Sequence, residues 1–195
     1  MKNTTTKTPK PYLSWSQLWL WEQSPKYYAQ RYFEGRDLTF LSNLFGSEMA
    51  KALEDNDMAN PDPALAQAMI FLPKYPLREH RIEIGGTNCP LLGSLDGYDP
   101  KGPDIGEYKS GKIEWTQAKV NKHGQLDFYS LLVYLKEGKL PRKVMLHYFC
   151  TNQKHYGRVF SFEKKITLTD VLRMSGRATK AWKEIKEAYK RYGKQ

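Results

Sequence analysis

The chain has 195 residues, 31 of them Lys or Arg and 21 Asp or Glu, which leaves a formal net charge of +10 at neutral pH. With 40% apolar and 27% charged residues the composition is that of an ordinary soluble globule, which excludes disorder throughout, and apolar runs such as residues 131–135 fall far short of a membrane span. Two cysteines, Cys89 and Cys150, exclude a disulfide framework and an all-cysteine metal cluster; with a polar, basic start lacking an apolar leader core, they point to a reducing cytoplasm.

Residues 1–11 read as a disordered basic arm and residues 12–195 as a single domain. Ser14 or Ser16 can cap a helix that runs to about residue 33, broken or kinked at Pro25 and ended by Gly35. Its aromatics, Trp15, Trp19, Trp21, Tyr27, Tyr28, Tyr32 and Phe33, are expected mostly in the core, with one or two free to stack on bases. A second helix is predicted over 44–55 and a third over 64–72, announced by Asn60-Pro61-Asp62-Pro63. The period then changes. Residues 78–84, 90–98 and 104–109, separated by Gly85-Gly86 and Gly102-Pro103, predict a three-stranded meander.

A long helix is expected over 116–136, ended by Gly138. Two β-prone runs, 144–150 and 158–162, follow as a hairpin. The closing helix, capped by Thr167 or Thr169, sets Val171, Met174, Ala178, Trp182, Ile185, Tyr189 and Tyr192 on one face and Arg173, Arg177, Lys180 and Lys190 on the other. Packed together, these elements predict an α/β (α+β) fold, a mixed central sheet flanked by helices.

The candidate chemistry gathers in the meander. Asp96 lies late in the second strand beside apolar Leu91, Leu92 and Leu95, where an unpaired carboxylate is costly. Glu107 and Lys109 end the third strand on one face, with Tyr108 on the other. If the register sets Asp96 beside Glu107, two carboxylates and an ammonium converge at a sheet end. Such a group suits a Mg²⁺ or Mn²⁺ ion that takes one or two carboxylates plus substrate phosphate. The ammonium then orients water or neutralises charge. Taken alone, Glu107 and Lys109 are an ordinary strand ion pair.

Leu95-Asp96 followed by Glu107-Tyr108-Lys109 resembles the PD-(D/E)xK nuclease signature. Gln125 and Tyr129, one helical turn apart on the next helix, look like the Q-x-x-x-Y pair of the superfamily's RecB-type exonuclease branch. Tyr12-Leu13-Ser14-Trp15-Ser16-Gln17-Leu18, Ser24-Pro25, Phe45-Gly46-Ser47 and Leu53-Glu54 are similar to that branch's opening segments, so the likeness spans about residues 12–163. It implies a restriction-endonuclease-like core, with Asp96, Glu107 and the Tyr108 carbonyl as metal ligands and Lys109 as the catalytic lysine. Gln125 and Tyr129 would hold the substrate backbone or position Lys109. Two departures stand out. Where many relatives carry a histidine four residues after the glycine matching Gly46, this chain has Ala50. Glu54, on the same helix face one turn further, is favoured over Glu48 to reach the metal instead. Where iron–sulfur relatives have Cys-Pro this chain has Ser24-Pro25, which excludes a cluster and leaves Cys89 and Cys150 as packing residues.

His80, His123, His147 and His155 show no metal-ligand spacing, and His123 reads as a surface residue. There is no phosphate-cradling loop of the P-loop kind, so no nucleotide is expected. Lys112, Lys119, Lys122 and the basic closing helix are candidates for gripping DNA phosphates, or for an ordinary solvated face. The expected activity is a divalent-metal-dependent DNA exonuclease in recombination, repair or replication, in a bacterial or phage-infected cell, possible company being other recombination or replication proteins and no membrane. The alternatives are a catalytically silent DNA-binding scaffold of the same fold and a site-specific endonuclease.

Overall fold

The computed structural model describes residues 10–36, 63, 66 and 70–192. Ser14 caps α1 (Trp15–Gln23), its side chain accepting from the Gln17 amide. Ser24 caps α2 (Pro25–Tyr28), where Pro25 takes the first helical turn, the place that does not need its missing N–H. A single wide turn, Ala29–Phe33, carries the chain to Gly35 at φ 72°. The expected break at Pro25 is therefore a clean change of helix. The predicted helix over 44–55, and with it Glu48, Ala50 and Glu54, lies outside the described residues, as do residues 1–9 of the predicted arm. Of the stretch 64–72, the described Ala66, Ile70 and Phe71 are helical.

Five strands form one mixed sheet in the order β1-β2-β3-β4-β5. The meander is β1 (Leu77–Ile84), β2 (Leu91–Asp99) and β3 (Asp104–Gly111), each antiparallel to the next. β4 (Lys143–Cys150) runs parallel to β3, and β5 (Val159–Glu163) returns antiparallel as the expected hairpin. The parallel β3–β4 step requires a crossover, supplied by helix. That helix is not continuous as predicted. It is α3 (Gln117–Asn121), a turn at Lys122 and His123, and α4 (Gly124–Glu137). At the break Gly124 lets the chain pass close under Trp15, whose ring a Cβ there would meet at 2.5 Å. α3 is then free to lean on β5, where Gln117 donates to the Glu163 carbonyl at 2.7 Å.

α4 covers one face of β1–β3, and α5 (Leu168–Tyr192) packs across α4 and α1. Thr167 caps α5: its hydroxyl accepts from the Asp170 amide while Asp170 accepts from the Thr167 amide at 2.9 Å, a reciprocal pair that satisfies two end donors. Val171, Met174, Ala178, Trp182 and Ile185 are buried as their spacing predicted, whereas Tyr192 reaches the surface. Leu18, Trp21, Tyr28 and Phe33 join this core. Trp15 and Tyr32 pack against it, so most of the opening aromatics lie inside as expected, while Trp19 and Tyr27 are 50% and 56% exposed.

One irregularity places the site. Gly93 faces α4, where Tyr129 and Leu132 press on it, but Gly97, four residues along the same strand, faces Tyr75 on the opposite side. Strict alternation would put both on one face. The switch coincides with a missing ladder pair: Arg78↔Gly97 and His80↔Leu95 are partners, while Glu79 and Asp96 between them are not. Among the described residues Glu79 is the non-glycine with a left-handed backbone, φ 44°.

Candidate active site

The β2–β3 ladder holds Asp99↔Asp104, Tyr98↔Ile105 and Gly97↔Gly106, and there it ends. One step further the same register sets Asp96 against Glu107, but the strands no longer exchange backbone bonds. Instead Asp96 Oδ2 accepts from the Tyr108 amide at 2.9 Å. A carboxylate has taken the place of a strand carbonyl, and the sheet opens beside it.

Glu107 is 1% exposed on the face covered by α4. Its Oε1 accepts from the Lys109 ammonium, two residues on along the same face, while its Oε2 is buried with no hydrogen-bond partner among the described residues. Tyr108 projects the other way, its hydroxyl donating to the Pro73 carbonyl. Burial drives the Asp96 carboxyl well above the usual carboxylate range, and the neighbouring Glu107 charge adds to it. Glu107 is also raised by burial, against the pull of Lys109. Burial alone would lower Lys109, but the Glu107 carboxylate outweighs it and holds the ammonium above its ordinary value. Two buried acidic side chains thus share a partly closed space with the Lys109 ammonium, where ionising both is costly unless further positive charge arrives.

Tyr129 closes the site from α4. Its hydroxyl accepts from Gln125 Nε2 at 2.9 Å, so the helical-turn pair singled out in the sequence is bonded to itself. Burial and the charges of Glu107 and Asp96 push the Tyr129 hydroxyl well above its ordinary value, so it stays protonated beside the carboxylates.

The chain shares its fold with a presumed exonuclease. That crystal structure, of a protein from Eubacterium rectale, has a TM-score of 0.62 and 13% sequence identity; the match covers 92% of this chain and 81% of that one. A second solved structure, SSO0001, is 15% identical over 88% of this chain and 76% of that one, with a TM-score of 0.46 that carries no argument. No family model matches the chain, and no curated protein does.

Hard carboxylate oxygens, one of them orphaned and buried, under an excess of negative charge fit a Mg²⁺ or Mn²⁺ ion. Among the described residues no group of three or more His, Cys, Asp or Glu side chains stands in ligating arrangement. Glu54 lies outside the described residues. Ser24 is engaged as a helix cap, and Cys89 and Cys150 are buried free thiols, Cys89 donating to the Ala178 carbonyl.

Lys112, Lys119 and Lys122 are exposed beyond the end of β3 and around α3, Lys119 lying over the Trp115 ring at 4.6 Å. The closing helix is less available than its sequence suggested: Arg173 is paired with Asp170 and Arg177 with Glu22. His123 is not the surface residue expected. It packs between Trp15 and Trp115, and burial lowers it to about 4. Sequence reasoning missed Glu79, whose charge raises Asp96, Glu107 and Tyr129 alike.

Proposed function

We propose that the chain is a divalent-metal-dependent deoxyribonuclease of the PD-(D/E)xK kind, acting from DNA ends. The observation that carries the reading is the buried, unpartnered Glu107 Oε2 beside Asp96 and Lys109, where the β2–β3 ladder opens. A structural likeness to a presumed exonuclease supports it at the level of the fold.

In this reading Asp96 and Glu107 hold Mg²⁺ or Mn²⁺, with the Tyr108 carbonyl beside them. The ion supplies Lewis-acid polarisation of the scissile phosphate and a lowered pKa for bound water. Lys109 presents its ammonium to phosphoryl oxygens as charge builds on them. Tyr129, anchored by Gln125, offers a protonated hydroxyl that orients Lys109 or a backbone phosphate, while Lys112, Lys119 and Lys122 grip phosphates outside the reacting centre. The net charge of +10 draws the polyanion in, with the salt dependence that counterion release imposes. Recombination, repair or replication DNA, in a bacterial or phage-infected cytoplasm, is the substrate we assign. Other proteins of those processes are the natural company.

The test uses end-labelled linear DNA and covalently closed circles, each with Mg²⁺ and with chelator. Release of label from linear DNA alone, dependent on metal and reduced about 10²- to 10⁴-fold in Lys109→Ala, is expected. Cleavage that is indifferent to Lys109→Ala refutes the site. Cutting of closed circles at fixed sequences replaces the exonuclease by an endonuclease, and binding without cleavage makes the protein a silent scaffold, a role that the Ala50 departure favours.

A further inference from the structure

Glu79 stands on β1 at the one place where the β1–β2 ladder skips a pair. The partners on either side, Arg78↔Gly97 and His80↔Leu95, set it opposite Asp96. Carried one strand further, the same row reaches Glu107. Three acidic residues on three adjacent strands therefore share a row, and the middle one gives its carboxylate to the Tyr108 amide. Glu79 Oε2 is itself fixed, accepting from the Ser94 hydroxyl at 2.8 Å. Its residue is exposed, unlike Glu107, so it sits at the rim. A row of acids alone would mean little; beside it, however, Glu107 Oε2 is buried without a hydrogen-bond partner among the described residues.

We infer that Glu79 is a positioning residue for a divalent cation held by Asp96 and Glu107, acting through a water of the cation's shell. The inference rests on the reading of the site given above. We assign Glu79 a water-mediated role rather than a third direct bond because no three such side chains among the described residues form a ligand group. Mg²⁺ sheds its waters reluctantly and is commonly held by one or two carboxylates, the rest of its shell being water that outer groups orient. Ser94 fixes the Glu79 carboxylate so that it can serve as such an outer group. The negative charge of Glu79 already reaches both inner carboxyls, raising each.

The experiment is a Mn²⁺ titration of the full chain without DNA, read from the disappearance of the free-ion electron-paramagnetic-resonance signal. Glu79→Gln should weaken Mn²⁺ binding about tenfold. Ser94→Ala, which keeps the charge but frees the carboxylate, should weaken it by a smaller factor. Glu83→Gln removes an exposed carboxylate of the same strand that already answers to Arg81, and should leave the affinity unchanged. Circular dichroism checks that each variant is folded; if Glu79→Gln is not, Ser94→Ala decides. Wild-type affinity in both Glu79→Gln and Ser94→Ala overturns the inference and leaves the nuclease reading standing. Equal weakening by Glu83→Gln overturns it too, since the effect is then bulk charge. A wild-type protein that takes up no Mn²⁺ overturns both.

Discussion

Glu107 and Tyr108 are neighbours in the chain, yet they open onto two different kinds of interior. On the Tyr108 side the buried side-chain polar groups among the described residues are answered. The Tyr108 hydroxyl donates to the Pro73 carbonyl, and the Tyr75 hydroxyl meets His147 Nε2 at 3.0 Å. The Ser161 hydroxyl meets His147 Nδ1 at 2.8 Å. On the Glu107 side one carboxylate oxygen has no hydrogen-bond partner among the described residues, and Asp96 and Glu107 face Lys109. The first face spends its polar groups on holding the sheet together. The second keeps them unsatisfied, a state that folding alone does not favour and that a cation and a phosphate can complete.

The sharpest test of this contrast is Glu107→Gln. It should cut metal-dependent cleavage about a hundredfold or more while leaving the melting temperature equal or higher, because a neutral amide is cheaper to bury than a carboxylate. A large fall in melting temperature would show Glu107 to be part of the scaffold and erase the distinction between the faces.

On the other face the expected response is to pH. Burial lowers His147 to about 4. The unfolded chain, with an ordinary histidine near 6.5, therefore binds a proton that the folded one refuses between those values. Stability is present above about pH 6.5 and declines as pH falls towards 4, by on the order of 3 kcal/mol for this residue. Denaturant midpoints measured across that window should flatten in His147→Gln; an unchanged slope would assign the acid sensitivity to other groups.

Steric fit gives a third probe. Gly97 and Gly106, the last ladder pair before the opening, lie under the Tyr75 ring, and a Cβ on Gly106 would fall 2.2 Å from it. Gly106→Ala should cost about 1–3 kcal/mol by displacing that ring, and cleavage should fall with it, since the same pair sets where the strands part. Retained stability in a thermal melt would mean that Tyr75 swings aside freely.

The smallest effect belongs to Glu79. Its left-handed backbone is strained, so Glu79→Gly should stabilise the cation-free protein by up to about 1 kcal/mol while weakening Mn²⁺ binding. A variant that melts lower than wild type would show that the strain is not stored there.

How far the sequence reached varies with the range of the interaction. Ser14 and Thr167 act as helix caps, Gly138 ends α4 at φ 71°, and Gln125 meets Tyr129, all set within a turn of the chain. The meander and hairpin were legible from apolar alternation and turn residues. Glu107 and Lys109 were placed on one face for the same reason. Asp96 beside Glu107 was legible as a possibility, because consecutive strands usually pair and the two residues flank one short turn. Glu79 was not. Alternation along residues 78–84 hides a left-handed residue, and nothing local tells that the β1–β2 ladder skips a pair there.

The amino-acid order by itself determined the kinds and succession of elements, the caps and stops, the positive charge, and the spacing of Asp96, Glu107, Lys109, Gln125 and Tyr129. Tertiary packing alone decided the break at His123, made where the chain passes under Trp15, and the burial of His123 between two indoles. It also decided the parting of β2 from β3 beyond Gly97 and the isolation of Glu107 Oε2. The division has a physical cause. Caps and helical turns are short-range and close within a few residues, whereas register, strand separation and burial depend on which distant side chains arrive to fill the space.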